Sequence, residues 1–260
     1  MRRFPKMLAT ALMTIGASSA AAQSQSPPGV QPLAGRATVF LNGGLQIASQ
    51  DLTRSSTFSL YDEEARLDIA QNDIEGGGFV EIGGSYRFLD QIGAGLSFMS
   101  VDSKGDATVD GSIPHPLEFD LFRQITGSES NLRHKETAVH LFATYHMPLT
   151  EKIDLTFSAG PSFFNISQDF VRSITFSEAP PFTSVTLDGV ERTTIKKNGV
   201  GFNIGADATY GLTRFMGFDL GVGAMARYTR GGADFDVTDG ESVNVKGGGF
   251  QIGGGVRVRF

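Results

Sequence analysis

The chain has 260 residues, with 22 Lys and Arg against 28 Asp and Glu and a formal net charge of −6 at pH 7. This acidic balance gives no support to a nucleic-acid partner. Cysteine is absent, which excludes a disulfide framework, a thiolate metal site and a catalytic thiol. No metal or other cofactor is expected.

The N-terminus has the three parts of a secretory signal peptide. A basic start is followed by an apolar run over about 7–17 and then by a small-residue stretch that ends at Ala22. The pattern predicts a signal peptide over 1–22, cleaved after Ala22, and therefore export from the cytoplasm.

The chain after residue 22 lacks the apolar run of roughly 18 residues that a membrane-spanning helix requires. The mean hydropathy of the whole 260-residue chain, −0.07, resembles that of a soluble protein. A helical membrane protein is therefore excluded. A β-barrel is not, because each of its strands needs apolar side chains only on the face that contacts lipid.

Eight segments alternate apolar and polar side chains with period two. In the last, Phe250, Ile252 and Val256 alternate with more polar or smaller residues. About ten residues of such alternation is the length of a membrane-crossing strand, and bacterial barrels have an even number of strands. The sequence predicts an all-β fold, a closed antiparallel up-and-down transmembrane β-barrel of eight strands. In chain order these are 39–47, 80–88, 92–100, 139–147, 153–163, 202–212, 218–229 and 250–260.

The connections between these strands alternate in length. Short turns are predicted at 89–91, 148–152 and 213–217, and long loops at 50–75, 102–135, 169–198 and 231–246. Short periplasmic turns and long external loops are the outer-membrane pattern. A short periplasmic segment is therefore expected over 23–35, before a barrel over 36–260. Ten strands are the alternative, if a long loop contains a hairpin, with 173–176 and 184–187 as candidates.

Glycine and aromatic residues fit a narrow barrel. Many of the 33 glycines fall on predicted strands, where they relieve crowding and let a curved sheet bend. Aromatic side chains near both strand ends are typical of interfacial girdles. Those near the short turns are Tyr86, Phe88, Tyr145, Tyr210, Phe218 and Phe260, and those near the long loops are Phe98, Phe163, Phe202, Tyr228 and Phe250.

Taken together, the signal peptide, the alternating strands and the final run from Val256 to the terminal Phe260 resemble small bacterial outer-membrane β-barrels of the OmpA/OmpX-like class. The resemblance implies a location in the outer membrane of a Gram-negative cell. Outer-membrane lipid and lipopolysaccharide are then expected partners. It also implies recognition by the barrel-assembly machinery, with Phe260 as part of the assembly signal.

Charged residues fall on the face of the predicted strands that turns toward the lumen. The interior of an eight-stranded barrel is just filled by side chains, so opposite charges there are expected to pair across strands. A narrow polar path lined by the same groups is the alternative. These residues are Glu81, Arg87, Asp154, Asp207, Asp219, Arg227, Arg257 and Arg259.

Three histidines, His134, His140 and His146, share one face of a single predicted strand. Neighbouring members lie roughly 20 Å apart at the rise of an extended chain, which is too far for a shared metal ion. Some eight-stranded barrels are lipid A deacylases with a His-Ser pair, but no serine follows these histidines at the expected place. The sequence predicts no catalytic residues and no enzyme.

Three functions are compatible with these patterns. A structural or surface-interaction barrel that displays long external loops to an unknown partner is the favoured interpretation. A small porin-like pore for ions or solutes is the alternative, although an eight-stranded bore is narrow. A lipid-modifying enzyme comes third, because no nucleophile and base are clustered near one rim.

Overall fold

The structure, a computed structural model, describes residues 35–48, 52–72, 76–238 and 241–260, with the backbone alone for 236–238 and 241–243. The predicted signal peptide over 1–22 lies outside these residues, as does nearly all of the predicted segment over 23–35. No helix in the described ranges is long and apolar enough to cross a membrane.

Strands make up most of the described chain, and neighbouring strands run antiparallel. Their long alternating sequences leave one apolar and one mostly polar face, which is what a strand between lipid and a filled lumen requires. They are β1 (Ala37–Ile47), β2 (Leu52–Leu60), β3 (Glu63–Asn72), β4 (Gly78–Arg87), β5 (Ile92–Pro114), β6 (Phe122–Pro148), β7 (Ile153–Glu178), β8 (Val185–Phe215), β9 (Phe218–Thr238) and β10 (Glu241–Arg259).

Eight of these strands close into a ring. Strands β4 to β10 pair consecutively, and β1 completes the ring by pairing with β4 on one side and β10 on the other. The closing register runs from Thr38 opposite Arg259 to Ile47 opposite Phe250. The predicted closed antiparallel barrel of eight strands is confirmed.

The prediction of long loops is wrong, because most residues of these segments belong to strands. The outer halves of β5 and β6 pair up to Pro114 opposite Phe122, and those of β7 and β8 pair up to Glu178 opposite Val185. Of the candidate hairpin segments, 173–176 therefore lies within β7, and 184–187 falls at the start of β8, which begins at Val185. The additional hairpin lies in the first predicted loop instead, where β2 pairs with β3 and β3 pairs with β5.

The short turns fall where the sequence predicts them. The tightest joins β8 to β9 through Met216 and Gly217, both with positive φ (48° and 88°). A two-residue turn with this backbone matches the right-handed twist of the paired strands. The turns between β4 and β5 and between β6 and β7 are closed by hydrogen bonds from Phe88 N and Leu149 N to Ile92 O and Ile153 O.

Beyond the ring, the outer parts of the strands form a β-sandwich, which we call the head. The pairing of β6 with β7 ends at His134 opposite Gln168, so the two strands separate above this level. On one side β2, β3, β5 and β6 form a sheet, and on the other β7 and β8 pair. Apolar side chains fill the space between them, namely Leu67, Ile69, Val109, Leu132, Val171, Ala65, Ile113 and Ile125.

Candidate functional site

Three cross-strand ion pairs occupy the lumen of the barrel. Arg227 on β9 contacts Glu81 on β4, with 2.5 Å between Nη1 and Oε1, and Glu81 is completely buried. Arg259 on β10 contacts Asp154 on β7, with 2.8 Å between Nη2 and Oδ2. The third pair joins Arg257 to Asp207. Each pair links two non-adjacent strands of the ring, so the charges hold the cylinder together from inside.

The two other predicted lumen residues lie close to the short-turn rim. Arg87 is buried and donates to the backbone oxygen of Gly35. Asp219 is mostly covered and contacts the exposed Arg214, with 2.7 Å between Oδ1 and Nε. The structure thus brings six of the eight predicted residues together in pairs, while Arg87 and Asp219 also contact other residues near the rim.

The three histidines that share one strand face in the sequence, His134, His140 and His146, each contact different residues. His134 lies 2.5 Å from Gln168 through Nδ1 and 2.9 Å from Glu136 through Nε2. His146 lies near Asp154, at 3.5 Å from Nδ1 to Oδ2. The three side chains share no common ligand position.

His140 meets a serine that the sequence analysis missed. Its Nδ1 lies 2.8 Å from Ser162 Oγ, which also accepts a 3.0 Å hydrogen bond from Asn203 Nδ2. Ser162 comes from β7, directly opposite His140 in the strand register. His140 and Ser162 are both completely buried, so no substrate has access to this pair.

Completely buried side chains fill the middle of the lumen. Four of them have no accessible surface, namely Glu81, His140, Ser162 and Gln251. A water-filled path through the lumen would expose such side chains, so the lumen is filled at this level. A cavity of about 60 Å³ lies on the short-turn side, lined by Asn42, Asp207, Phe142 and Arg257 among others, and has room for a few waters.

Toward the head the lumen is closed by apolar side chains, which we call the plug. Phe170 and Phe235 pack with their ring centroids 5.8 Å apart. Glycines make room for such rings, since a Cβ on Gly231 would lie 2.5 Å from the ring of Phe164. The plug consists of Leu52, Phe79, Met99, Val101, Ala138, Phe164, Ile166, Phe170, Met225, Ala233, Phe235 and Val245.

The far end of the head, which we call the summit, consists of three hairpin tips, residues 60–64, 115–122 and 179–184. Arg123 joins two of them, because it contacts Glu178 at 2.6 Å and donates to Phe182 O at 3.1 Å. The hydroxyl of Tyr61 in the third tip donates to the same Glu178 carboxylate. These contacts therefore hold the three tips of the summit together.

The electrostatics of Glu178 follow from these contacts. Burial opposes ionisation of its carboxyl, but the hydrogen bonds from Tyr61 and Arg123 and the charge of Arg123 outweigh it and lower the Glu178 pKa. Tyr61 and the next residue, Asp62, have positive φ (55° and 62°), a backbone conformation that residues other than glycine rarely adopt. The hydrogen bond from Tyr61 to Glu178 thus fastens a strained turn.

The summit exposes apolar side chains to water. Leu117 and Phe119 are 74% and 75% exposed, among the highest values of any large apolar residue in the described chain. Around them the three tips contain Asp62, Glu63, Glu64, Glu118 and Asp120, and no Lys or Arg.

The outer wall of the ring is a belt of apolar side chains. All eleven aromatic residues predicted for the two girdles are exposed there, as are Leu41, Leu45 and Ile82. A closed ring leaves no unpaired strand edge, and an apolar belt of this extent requires lipid rather than water. The chain is a transmembrane β-barrel.

The solved structures that this barrel resembles are bacterial outer-membrane proteins. OprG from Pseudomonas aeruginosa is 11% identical, with a TM-score of 0.42, and the match covers 89% of this chain and 99% of that one. Neisserial surface protein A is 14% identical, with a TM-score of 0.40, covering 88% and 100%. The protease OmpT from Escherichia coli is 10% identical, with a TM-score of 0.41, covering 88% and 99%. The chain matches no protein-family model and no curated protein.

Proposed function

We propose that the protein is a non-conducting surface barrel whose summit docks a partner protein outside the cell. The observation that carries this proposal is the exposure of Leu117 and Phe119 on a summit that is fixed by buried contacts. When a partner covers apolar groups that are exposed to water, the free energy of the system falls. Groups that are already held rigidly lose little conformational entropy on binding.

The charges of the summit suggest the chemistry of the partner. The three tips contain five carboxylates and no Lys or Arg. A complementary partner presents an apolar pocket with a cationic rim, and the attraction between the two rims accelerates their encounter. Binding should therefore weaken as the ionic strength rises.

Export and assembly belong to the same proposal. The predicted signal peptide over 1–22 directs the chain out of the cytoplasm, and the barrel-assembly machinery inserts the barrel. At the end of the last strand, Phe260 packs edge-on against Phe218, with 5.7 Å between ring centroids. Its ring is half exposed on the outer wall, where an assembly factor can reach it.

The proposal includes neither catalysis nor steady transport. The His140 and Ser162 pair is buried beneath the plug, which argues against a hydrolase. The same filling of the lumen argues against the predicted alternative of a small pore.

A photo-crosslinking residue at position 119, in the full chain on intact cells, tests the docking. Position 104, which is exposed on the side wall of the head, is the matched control site. We expect a covalent adduct from position 119 with a protein that has a cationic, apolar site. The Leu117→Ser variant and high salt should each reduce its yield several-fold. Equal adducts from both positions, or a yield unchanged by Leu117→Ser, would contradict the proposal.

A further inference from the structure

The hairpin of β2 and β3 gives the head a sheet edge that the closed ring does not have. On one side β2 pairs with β3 along its whole length, from Leu52 opposite Gln71 to Leu60 opposite Glu63. On its other side the described chain provides no hydrogen-bonded strand, because β2 is the first strand in the order of the sheet. An unpaired strand presents a row of free backbone N–H and C=O groups.

The turn of this hairpin determines which backbone groups are free. Tyr61 and Asp62 form a two-residue turn with positive φ at both positions, so Leu60 and Glu63 exchange both of their backbone hydrogen bonds. The bonded residues then alternate along β2, so Phe58 also bonds to β3. The residues between them direct their N–H and C=O groups away from β3. They are Thr53, Ser55, Thr57 and Ser59, and the side chains of all four are exposed.

In the described chain, no feature of the outer half of β2 blocks the approach of another strand. Proteins protect free edges with lysine, proline, a bulge or a charge that points inward. Arg54 is such a charge at the membrane end of β2, where it donates to Val171 O at 2.9 Å. Over 55–60 the strand has no charged residue, no proline and no bulge. The opposite edge of the sheet differs, because Arg192 donates to Ser130 O on β6 at 3.0 Å.

The inner face of this edge is apolar and incompletely covered. Phe58 and Leu60 pack against the apolar cluster of the head that contains Ile113 and Ile125. Both are only half-buried at this side of the sandwich. A strand added beside β2 continues the sheet, and it buries the rest of these two side chains when its own inward residues are apolar. Its outward residues then lie beside hydroxyl groups.

A second copy of the chain does not fit this edge. Identical strand edges that pair about a two-fold axis run antiparallel. Two barrels in one membrane have the same orientation, so their β2 strands both run in the same direction relative to the membrane. The occupant that fits is therefore an extended segment of a different protein.

We propose that β2 takes up an extended segment of another protein at the cell surface, which adds a strand to the sheet beside Ser55, Thr57 and Ser59. The segment alternates apolar and small polar side chains and has no proline at its centre. Main-chain hydrogen bonds supply the affinity, and the strip along Phe58 and Leu60 selects apolar residues. This binding is separate from docking at the summit, because it uses backbone groups on the side of the head.

Amide hydrogen exchange of the folded full chain, followed residue by residue by NMR, tests this inference. The probe is a synthetic peptide of 9 residues, the length of β2, in which valine and threonine alternate between terminal lysines. We expect the amides of Ser55, Thr57 and Ser59 to exchange freely without the peptide and about ten-fold more slowly with it. The amide of Phe58, which already bonds to β3, should change little.

The controls separate strand addition from other binding. Thr57→Pro removes the central free N–H without removing a hydrogen bond to β3, so it should abolish the added protection of Ser55 and Ser59. Thr57→Val keeps this N–H and is the matched control. A fully N-methylated peptide, which has no donors, should not protect the unmodified chain, and Leu117→Ser at the summit should change nothing.

Three results would each overturn the proposal. The first is protection of the amides of Ser55, Thr57 and Ser59 without the peptide, which would show that the edge is already covered. The second is unchanged exchange at millimolar peptide. The third is equal added protection in Thr57→Pro and Thr57→Val, or by the N-methylated peptide.

Discussion

Arg227 and Glu81 illustrate what single residues contribute to this barrel. Glu81 is completely buried, contacts Arg227 and accepts a 2.8 Å hydrogen bond from Asn42. Removing one partner of such a pair leaves an uncompensated charge in a medium of low polarity. The pair therefore matters less for the energy that it adds than for the penalty that follows its disruption.

Replacing Arg227 with Leu should lower the free energy of unfolding by about 3–5 kcal/mol, because Glu81 is then buried without a counter-charge. Urea unfolding, followed by the difference in gel migration between folded and boiled protein, measures this. The Glu81→Gln, Arg227→Met double variant is the control and should lose less than the single variant. A single variant as stable as the unmodified chain would show that the pair is not desolvated.

At the summit, the lowered pKa of Glu178 predicts a dependence on pH. A carboxyl whose pKa is lower in the folded state stabilises the fold above its unfolded pKa, roughly 4.3, and this stabilisation is lost as the pH falls below it. Hydrogen-exchange protection factors of amides in 115–123 should therefore fall between pH 5 and pH 3. The Glu178→Gln variant should show low protection at both pH values. Protection that is independent of pH in the unmodified chain would contradict this interpretation.

At the scale of strands, small residues and large ones fit each other across the lumen. Gly231 faces the ring of Phe164, and Gly223 faces the guanidinium of Arg257, where a Cβ would come within 2.8 Å. At these two positions glycine leaves the space that a buried ring and a buried arginine need.

Gly231→Val should therefore destabilise the barrel by about 1–3 kcal/mol through overpacking. Gly43→Val is the matched control, because a Cβ at this outward position meets only Phe79 O at 3.9 Å. Urea midpoints of the two refolded variants measure the difference. Equal midpoints would show that Phe164 moves aside without cost.

The strands also show how far the sequence predicts this structure. Period-two alternation reports which side faces lipid, so the ring, its short turns and its outward aromatic residues could all be predicted. The hairpin of β2 and β3 was missed, although Ala65, Leu67 and Ile69 alternate, because its turn at Tyr61 and Asp62 lacks the usual Asn-Gly or Asp-Gly signal.

The candidate sites were predictable only in part, for a related reason. Alternation places charged residues in the lumen, but which of them pair depends on the register of distant strands. The contact of His140 with Ser162, 22 residues away, has no local sequence signal. Nor does alternation indicate that Tyr61, Arg123 and Glu178, which lie in or next to three different tips, meet at one summit.

The whole molecule combines a filled cylinder in the membrane with a sandwich outside it. The lumen is crossed by ion pairs and closed by the plug, and the strands continue beyond the membrane into the head. In this arrangement the barrel serves as a rigid anchor. The summit and the outer wall are among the surfaces that other molecules can reach.

The most direct test of this account is the conductance of the refolded barrel in planar bilayers. Heat-dependent gel migration first confirms that the inserted protein is folded. The filled lumen predicts that the folded protein shows no reproducible open-channel steps, whatever the salt. Steady single-channel steps would contradict the account. If the ion selectivity of these steps also changed in an Arg227 or Arg257 variant, a conducting path through the lumen would be established.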